Sequence, residues 1–86
     1  NVKNSNRYLK VTLAMEITNE EAKKEIQAQE VKVKDVIISV LRSKTVEDLT
    51  GDDSQENLKR DIKKALVEKL GLEDIINIYI NEFVMQ

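Results

Sequence analysis

The side chains best suited to covalent chemistry, histidine and cysteine, do not occur among the 86 residues. Their absence removes the commonest general base, the commonest zinc ligands and the thiolate nucleophile together. Two arrangements of the remaining residues could still support chemistry. Ser39 or Ser43 beside Lys44 could form a pair in which an amine activates a hydroxyl, and the adjacent carboxylates Asp52 and Asp53 could share acid and base roles. Neither sits in a supporting motif. Ser43 and Lys44 read more simply as the polar end of a helix, and Asp52 and Asp53 as the cap of the next one. No catalytic or cofactor-binding residue is assigned, and the chain reads as non-enzymatic.

Binding chemistry is similarly thin. Asp48, Thr50, Asp52, Ser54 and Glu56 alternate as in a calcium loop. Counted from Asp48, however, the glycine position holds Asp53 and the bidentate glutamate position holds Lys59, so the pattern fails where geometry demands most. The only glycines, Gly51 and Gly71, stand alone, so no glycine-rich phosphate cradle exists. Lys and Arg total 14 against 16 Asp and Glu, which leaves no basic field to hold a nucleic-acid backbone. No metal site, cofactor or nucleic-acid partner is expected.

The elements that carry these residues follow from periodicity. Tyr8 to Ile17 alternates, with Leu9, Val11, Leu13, Met15 and Ile17 on one face and Lys10, Thr12, Ala14 and Glu16 with Tyr8 on the other, which predicts a half-buried strand. Lys3-Asn4-Ser5-Asn6 before it has turn chemistry and suggests a hairpin partner upstream. Thr18 with Glu21 fits a capping box for a helix that starts near Asn19 and lies on the surface. Val33, Val36, Ile37, Val40 and Leu41 then form a helical stripe, each side chain contributing roughly 1.5–3 kcal/mol if fully buried. Val31-Lys32-Val33-Lys34 alternates like a strand, so the two helices are either separate or continuous.

Thr45 and Asp48 form a second capping arrangement for a single helical turn that Gly51 stops. Asp52, Asp53 and Ser54 offer cap oxygens to a long helix whose apolar positions are Leu58, Ile62, Ala65, Leu66 and Leu70, ended by Gly71. Ile75 to Met85 is rich in β-branched and aromatic residues and predicts a strand, more central than the first, with Ile76, Ile78 and Ile80 on one face and Tyr79 and Phe83 on the other. A bulge near Asn81 would shift its register.

A chain of this length holds one core, so residues 1–86 form a single domain. The order of elements gives an α+β fold: a small mixed or antiparallel sheet covered on one face by helices. The sparse aromatic content and the lack of cysteine leave neighbouring molecules as the source of any further stability. No apolar run reaches the ~20 residues that span a bilayer. The abrupt start at Asn1-Val2-Lys3 reads like the interior of a longer protein.

Three blocks then carry a family resemblance. Arg7-Tyr8-Leu9-Lys10-Val11-Thr12-Leu13-Ala14-Met15-Glu16-Ile17, Leu41-Arg42-Ser43-Lys44-Thr45-Val46-Glu47-Asp48-Leu49 and Ile78-Tyr79-Ile80-Asn81-Glu82-Phe83-Val84-Met85-Gln86 occur in the order found in flagellar basal-body-associated FliL proteins. The chain resembles the periplasmic, C-terminal domain of that family over nearly its whole length. It departs at Gln27 to Val33, where many relatives carry a proline.

The resemblance implies an N-terminal inner-membrane helix and a linker that lie outside this sequence, and a periplasmic location at the flagellar basal body. It implies a fold similar to the stomatin and prohibitin (SPFH) type, ring-like self-association, and contact with stator proteins of the MotA/MotB type. No catalytic residue comes with the family. Self-contact is expected at the charged helix faces, at Glu21, Lys24 and Lys64. The competing reading is a stomatin-like membrane scaffold with no motor role; a small-molecule sensor ranks last, because no cluster of aromatics or buried charges announces a pocket.

Overall fold

The computed structural model describes residues 2–86. Strand β1 (Leu9–Ile17) is followed by α1 (Glu20–Ala28), α2 (Glu30–Arg42), α3 (Val46–Thr50), α4 (Ser54–Leu70) and β2 (Ile75–Met85). The two strands pair antiparallel, so the first and last elements of the chain make the sheet between them. Neither is central: among the described residues each pairs with one other strand.

The core forms around α4. Leu58, Ile62 and Leu66 recur every four residues, so they fall on one face, and they are the largest fully buried side chains. Helices α2 and α3 and strand β2 pack on α4, and Val33, Val36, Leu49, Leu72, Ile75 and Ile78 complete the core with Val2. Leu9, Leu13 and Met15 of β1 are only half-buried against it. No helix among the described residues is long and apolar enough to cross a membrane.

The helix ends show which local signals operate. Thr45 and Asp48 form the predicted capping box, Thr45 Oγ1 accepting from Asp48 N and Asp48 Oδ2 from Thr45 N. Gly71 ends α4 in the left-handed region at φ 67°, where a side chain would be strained. The α1 cap lies one residue beyond the expected one: Asn19 Oδ1 accepts from Ala22 N, while Thr18 donates its hydroxyl to Asp74 O at 2.8 Å. Thr18 is held by the β2 side of the sheet and so cannot serve the helix. At α4 the acidic residues supply no side-chain cap; Asp53 is the N-cap at φ 60°, and Ser54 N bonds Gly51 O instead.

Helices α1 and α2 are separate, broken at Gln29 (φ −108°, ψ 23°). Val31 to Lys34 is helical despite its alternation, because Val33 has a core to enter on the helical period while Val31 stays exposed. The turn at Lys3 to Asn6 forms, with Asn4 at φ 58° and Val2 N bonded to Arg7 O. Lys3 then bridges to Thr45 in parallel. A hairpin partner before Val2 lies outside the described residues.

Strand β2 departs most from simple alternation. The expected bulge occurs at Asn81, between the pairs Thr12↔Glu82 and Leu13↔Ile80, and a second occurs at Ile76, between Glu16↔Asn77 and Ile17↔Ile75. The two extra residues reset the faces. Ile76 is exposed, and Phe83 joins Ile75, Ile78, Ile80 and Met85 on the helix side instead of standing with Tyr79.

Candidate functional site

The block Leu41 to Leu49 is a structural junction. Ser43 ends α2 by donating its hydroxyl to Val40 O at 2.6 Å. Lys44 reaches across to Asp61 on α4, and its carbonyl accepts from Lys3 N at 3.1 Å. Thr45 starts α3, and Leu49 is buried in the core. The lysine holds the Asp61 carboxyl below the usual carboxylate range chiefly by this hydrogen bond. Lys44 therefore serves as a charged tether, and the Ser43 hydroxyl is tied to backbone. Ser39, Asp52 and Asp53 are exposed.

Three residues of the apparent calcium pattern, Asp48, Thr50 and Glu56, are engaged locally, Glu56 with Lys59. Asp48 closes its capping box, with its pKa lowered first by the Thr45 amide, and Thr50 donates its hydroxyl to Val46 O. Among the described residues no cluster of three or more His, Cys, Asp or Glu is placed to hold a metal ion.

The outer face of the sheet carries a polar network that linear reading missed. Glu16 Oε1 accepts from Asn77 Nδ2 at 2.8 Å and from the Tyr79 hydroxyl at 3.0 Å, which lowers the glutamate pKa and raises that of the tyrosine. Nearby, Glu82 accepts from Thr12 Oγ1 at 3.3 Å and pairs with Lys10 at 3.5 Å. These partners are some sixty to seventy residues apart, and only the strand register brings them together.

On the opposite face, a groove of about 600 Å³ opens between β1 and the α1–α2 corner. Val11, Leu13 and Met15 form one wall, and Ile26, Val33 and Ile37 the other. It exists because α2 packs on α4 and stays clear of β1 among the described residues. The signal was present in the sequence: the α2 stripe, with Ile38 beside it, is wider than one small core can bury.

Glu21 and Lys24 lie exposed on α1 and Lys64 lies exposed on α4, and none of them joins the ion pairs found among the described residues. The described residues thus offer exposed charged helix faces and one apolar groove.

Comparison with known proteins gives the family. Residues 1–86 match the family model described as flagellar basal body-associated protein FliL. The chain is 29% identical over 79 residues to flagellar protein FliL of Aquifex aeolicus (strain VF5), covering 92% of this chain and 49% of that protein. It is 26% identical over 82 residues to flagellar protein FliL of Bacillus subtilis (strain 168), covering 95% of this chain and 59% of that one. The chain thus spans about half the length of these relatives. With a match running from its first residue to its last, the chain belongs to the FliL family of flagellar basal-body accessory proteins.

Proposed function

We propose that this domain acts in the periplasm as a self-associating accessory of the flagellar motor, tethered to the inner membrane by chain outside this sequence. The whole-length family match carries the proposal. Copies form a ring around the stator units, of the MotA/MotB type, and hold the stator's periplasmic linker in an extended, plug-released state that favours ion flow and torque. The domain's contribution is avidity: contacts too weak to hold two free domains become strong once anchors concentrate them on a membrane. The fold is of the stomatin and prohibitin type, which suits such rings.

Glu21, Lys24 and Lys64 are proposed as members of the contact surface, on the strength of their exposure on helix faces. The test is co-purification of the full-length protein with stator components, followed by imaging of the particles. A ring around the stator supports the motor role. Rings or patches without stator would replace it with the membrane-scaffold reading, and unchanged swarming and torque under load after gene deletion would overturn it.

A further inference from the structure

The turn before β1 gives the chain that precedes it a direction. Tyr8 and Gln86 exchange backbone hydrogen bonds, so the Tyr8 amide and carbonyl face β2. Both bulges lie in β2, and alternation along β1 therefore turns the backbone groups of Arg7, Leu9, Val11, Leu13 and Met15 to its other edge. Val2 N donates to Arg7 O at 2.8 Å on that edge. Val2 thus stands beside β1, antiparallel to it across the turn at Lys3 to Asn6. Asn4 at φ 58° and the bond from Lys3 N to Lys44 O fix the turn in place.

The Val2 side chain marks a face as well as an edge, because it is buried in the core on the helix side of the sheet. Two hollows run on from it along β1. The first, of about 120 Å³, is lined by Val2, Leu9, Ile38, Leu41 and Arg42. The second is the groove of about 600 Å³ between β1 and the α1–α2 corner. Ile38 lines both. Together they form one largely apolar channel that starts at Val2 and follows Leu9, Val11, Leu13 and Met15 in order.

We propose that this channel seats the chain leading into Val2, laid down as a third strand antiparallel to β1 and entering the domain at the α1–α2 corner. The pair Val2 and Arg7 sets the register: the second, fourth, sixth and eighth residues before Val2 stand opposite Leu9, Val11, Leu13 and Met15. Residues two apart share a face, so the same residues point with Val2 to the helix side and fill the gap that α2 leaves. They are expected to be apolar, and the residues between them join Tyr8, Lys10, Thr12 and Glu16 on the outer face. Each outward amide and carbonyl of β1 gains a partner, and a sheet that is marginal with two strands gains a third. The relatives this chain matches extend well beyond the matched part, enough to supply such a strand.

The occupant decides what the groove is for. Filled by its own chain, it is an internal seat, and partners are left the outer face of the sheet and the exposed faces of the helices. On the motor reading proposed above, and resting on it, the chain in the groove is the last stretch of the membrane tether. The α1–α2 corner is then the end of the domain nearest the anchor, and the turn at Lys3 to Asn6, with Gln86, the end farthest from it.

Photo-cross-linking in the full-length, detergent-dispersed protein tests the seat. Ile38 and Gln27 both line the channel and are exposed, so each can be replaced by a benzophenone-bearing residue without opening the core. The label at Ile38 is expected to join chain about two to four residues before Val2, and the label at Gln27 chain about six to eight residues before it. Both products run as monomers, and peptide mass spectrometry reads the positions. Reversed order, links confined to residues 2–86, or links to a second copy or a stator protein would overturn the proposal.

Amide exchange gives an independent check on unmodified protein. Exchange at Leu9, Val11, Leu13 and Met15 is expected to be as slow as at Lys10, Thr12 and Ala14, and unchanged by dilution. Fast exchange at those four, or protection that fades on dilution, would overturn the proposal in favour of an open edge or of a second copy. The motor role is decided by the stator and swarming experiments, and stands or falls apart from either result.

Discussion

Lys44, just beyond the end of α2, donates to Asp61 in the middle of α4, tying the two helices that enclose most of the core. Both side chains are partly exposed, at 21% and 33%. Solvent screening therefore limits what the charge contributes, and the hydrogen bond matters more. Lys44→Ala and Asp61→Ala are each expected to cost about 1 kcal/mol, and the double variant little more than either alone. A double-mutant cycle from urea unfolding measures that coupling.

Ile62 is fully buried at the centre of α4. Ile62→Ala removes most of its side chain from the middle of the core and is expected to cost about 2–5 kcal/mol. For a domain this small, that loss is a large share of total stability. Chemical denaturation against the nearby exposed substitution Lys64→Ala separates the core effect from a change in helix propensity.

The two helix starts should respond oppositely to substitution. Thr45 caps α3 through its hydroxyl, so Thr45→Ala is expected to cost about 1 kcal/mol. Asp53 makes no cap bond and sits in the left-handed region, so Asp53→Gly is expected to leave stability unchanged or raise it by roughly a few tenths of a kcal/mol. Thermal melting of the two variants decides the point.

Three carboxylates, Glu16, Asp48 and Asp61, hold their charge more firmly in the folded chain than in the unfolded one, through hydrogen bonds from Asn77, Thr45 and Lys44 respectively. A lowered folded-state pKa stabilises the fold fully above the unfolded value, and that stabilisation is lost as pH falls through the lowered one. The urea midpoint is expected to stay flat from neutral pH down to about 5 and to fall below about pH 4. The Asp61→Asn variant, which no longer titrates there, is expected to show a shallower decline.

Local signals were the readable part of this sequence. The alternation of β1, the Thr45–Asp48 box, the Leu58-Ile62-Leu66 stripe and the stop at Gly71 each depend on residues a few positions apart, and the structure uses all of them as read. Thr18 and Phe83 were misplaced for one shared reason. Their surroundings are set by partners far along the chain: Asp74 draws the Thr18 hydroxyl away from the helix, and the bulge at Asn81 turns Phe83 inward. The Glu16–Tyr79 contact and the groove beside β1 likewise depend on register and helix placement. The three charged residues expected at a contact surface are exposed, which is consistent with that role and equally with a solvated helix face.

The reciprocal bonds between Tyr8 and Gln86 place the start of β1 and the end of β2 side by side, at the same end of the sheet. Among the described residues, a tensile load entering before β1 would first meet Val2, whose side chain is buried in the core, and the bond from Lys3 N to Lys44 O. Only when those contacts part would the pull reach β1 and β2, and it would then act in the peeling direction, rupturing their hydrogen bonds one at a time instead of shearing them all at once.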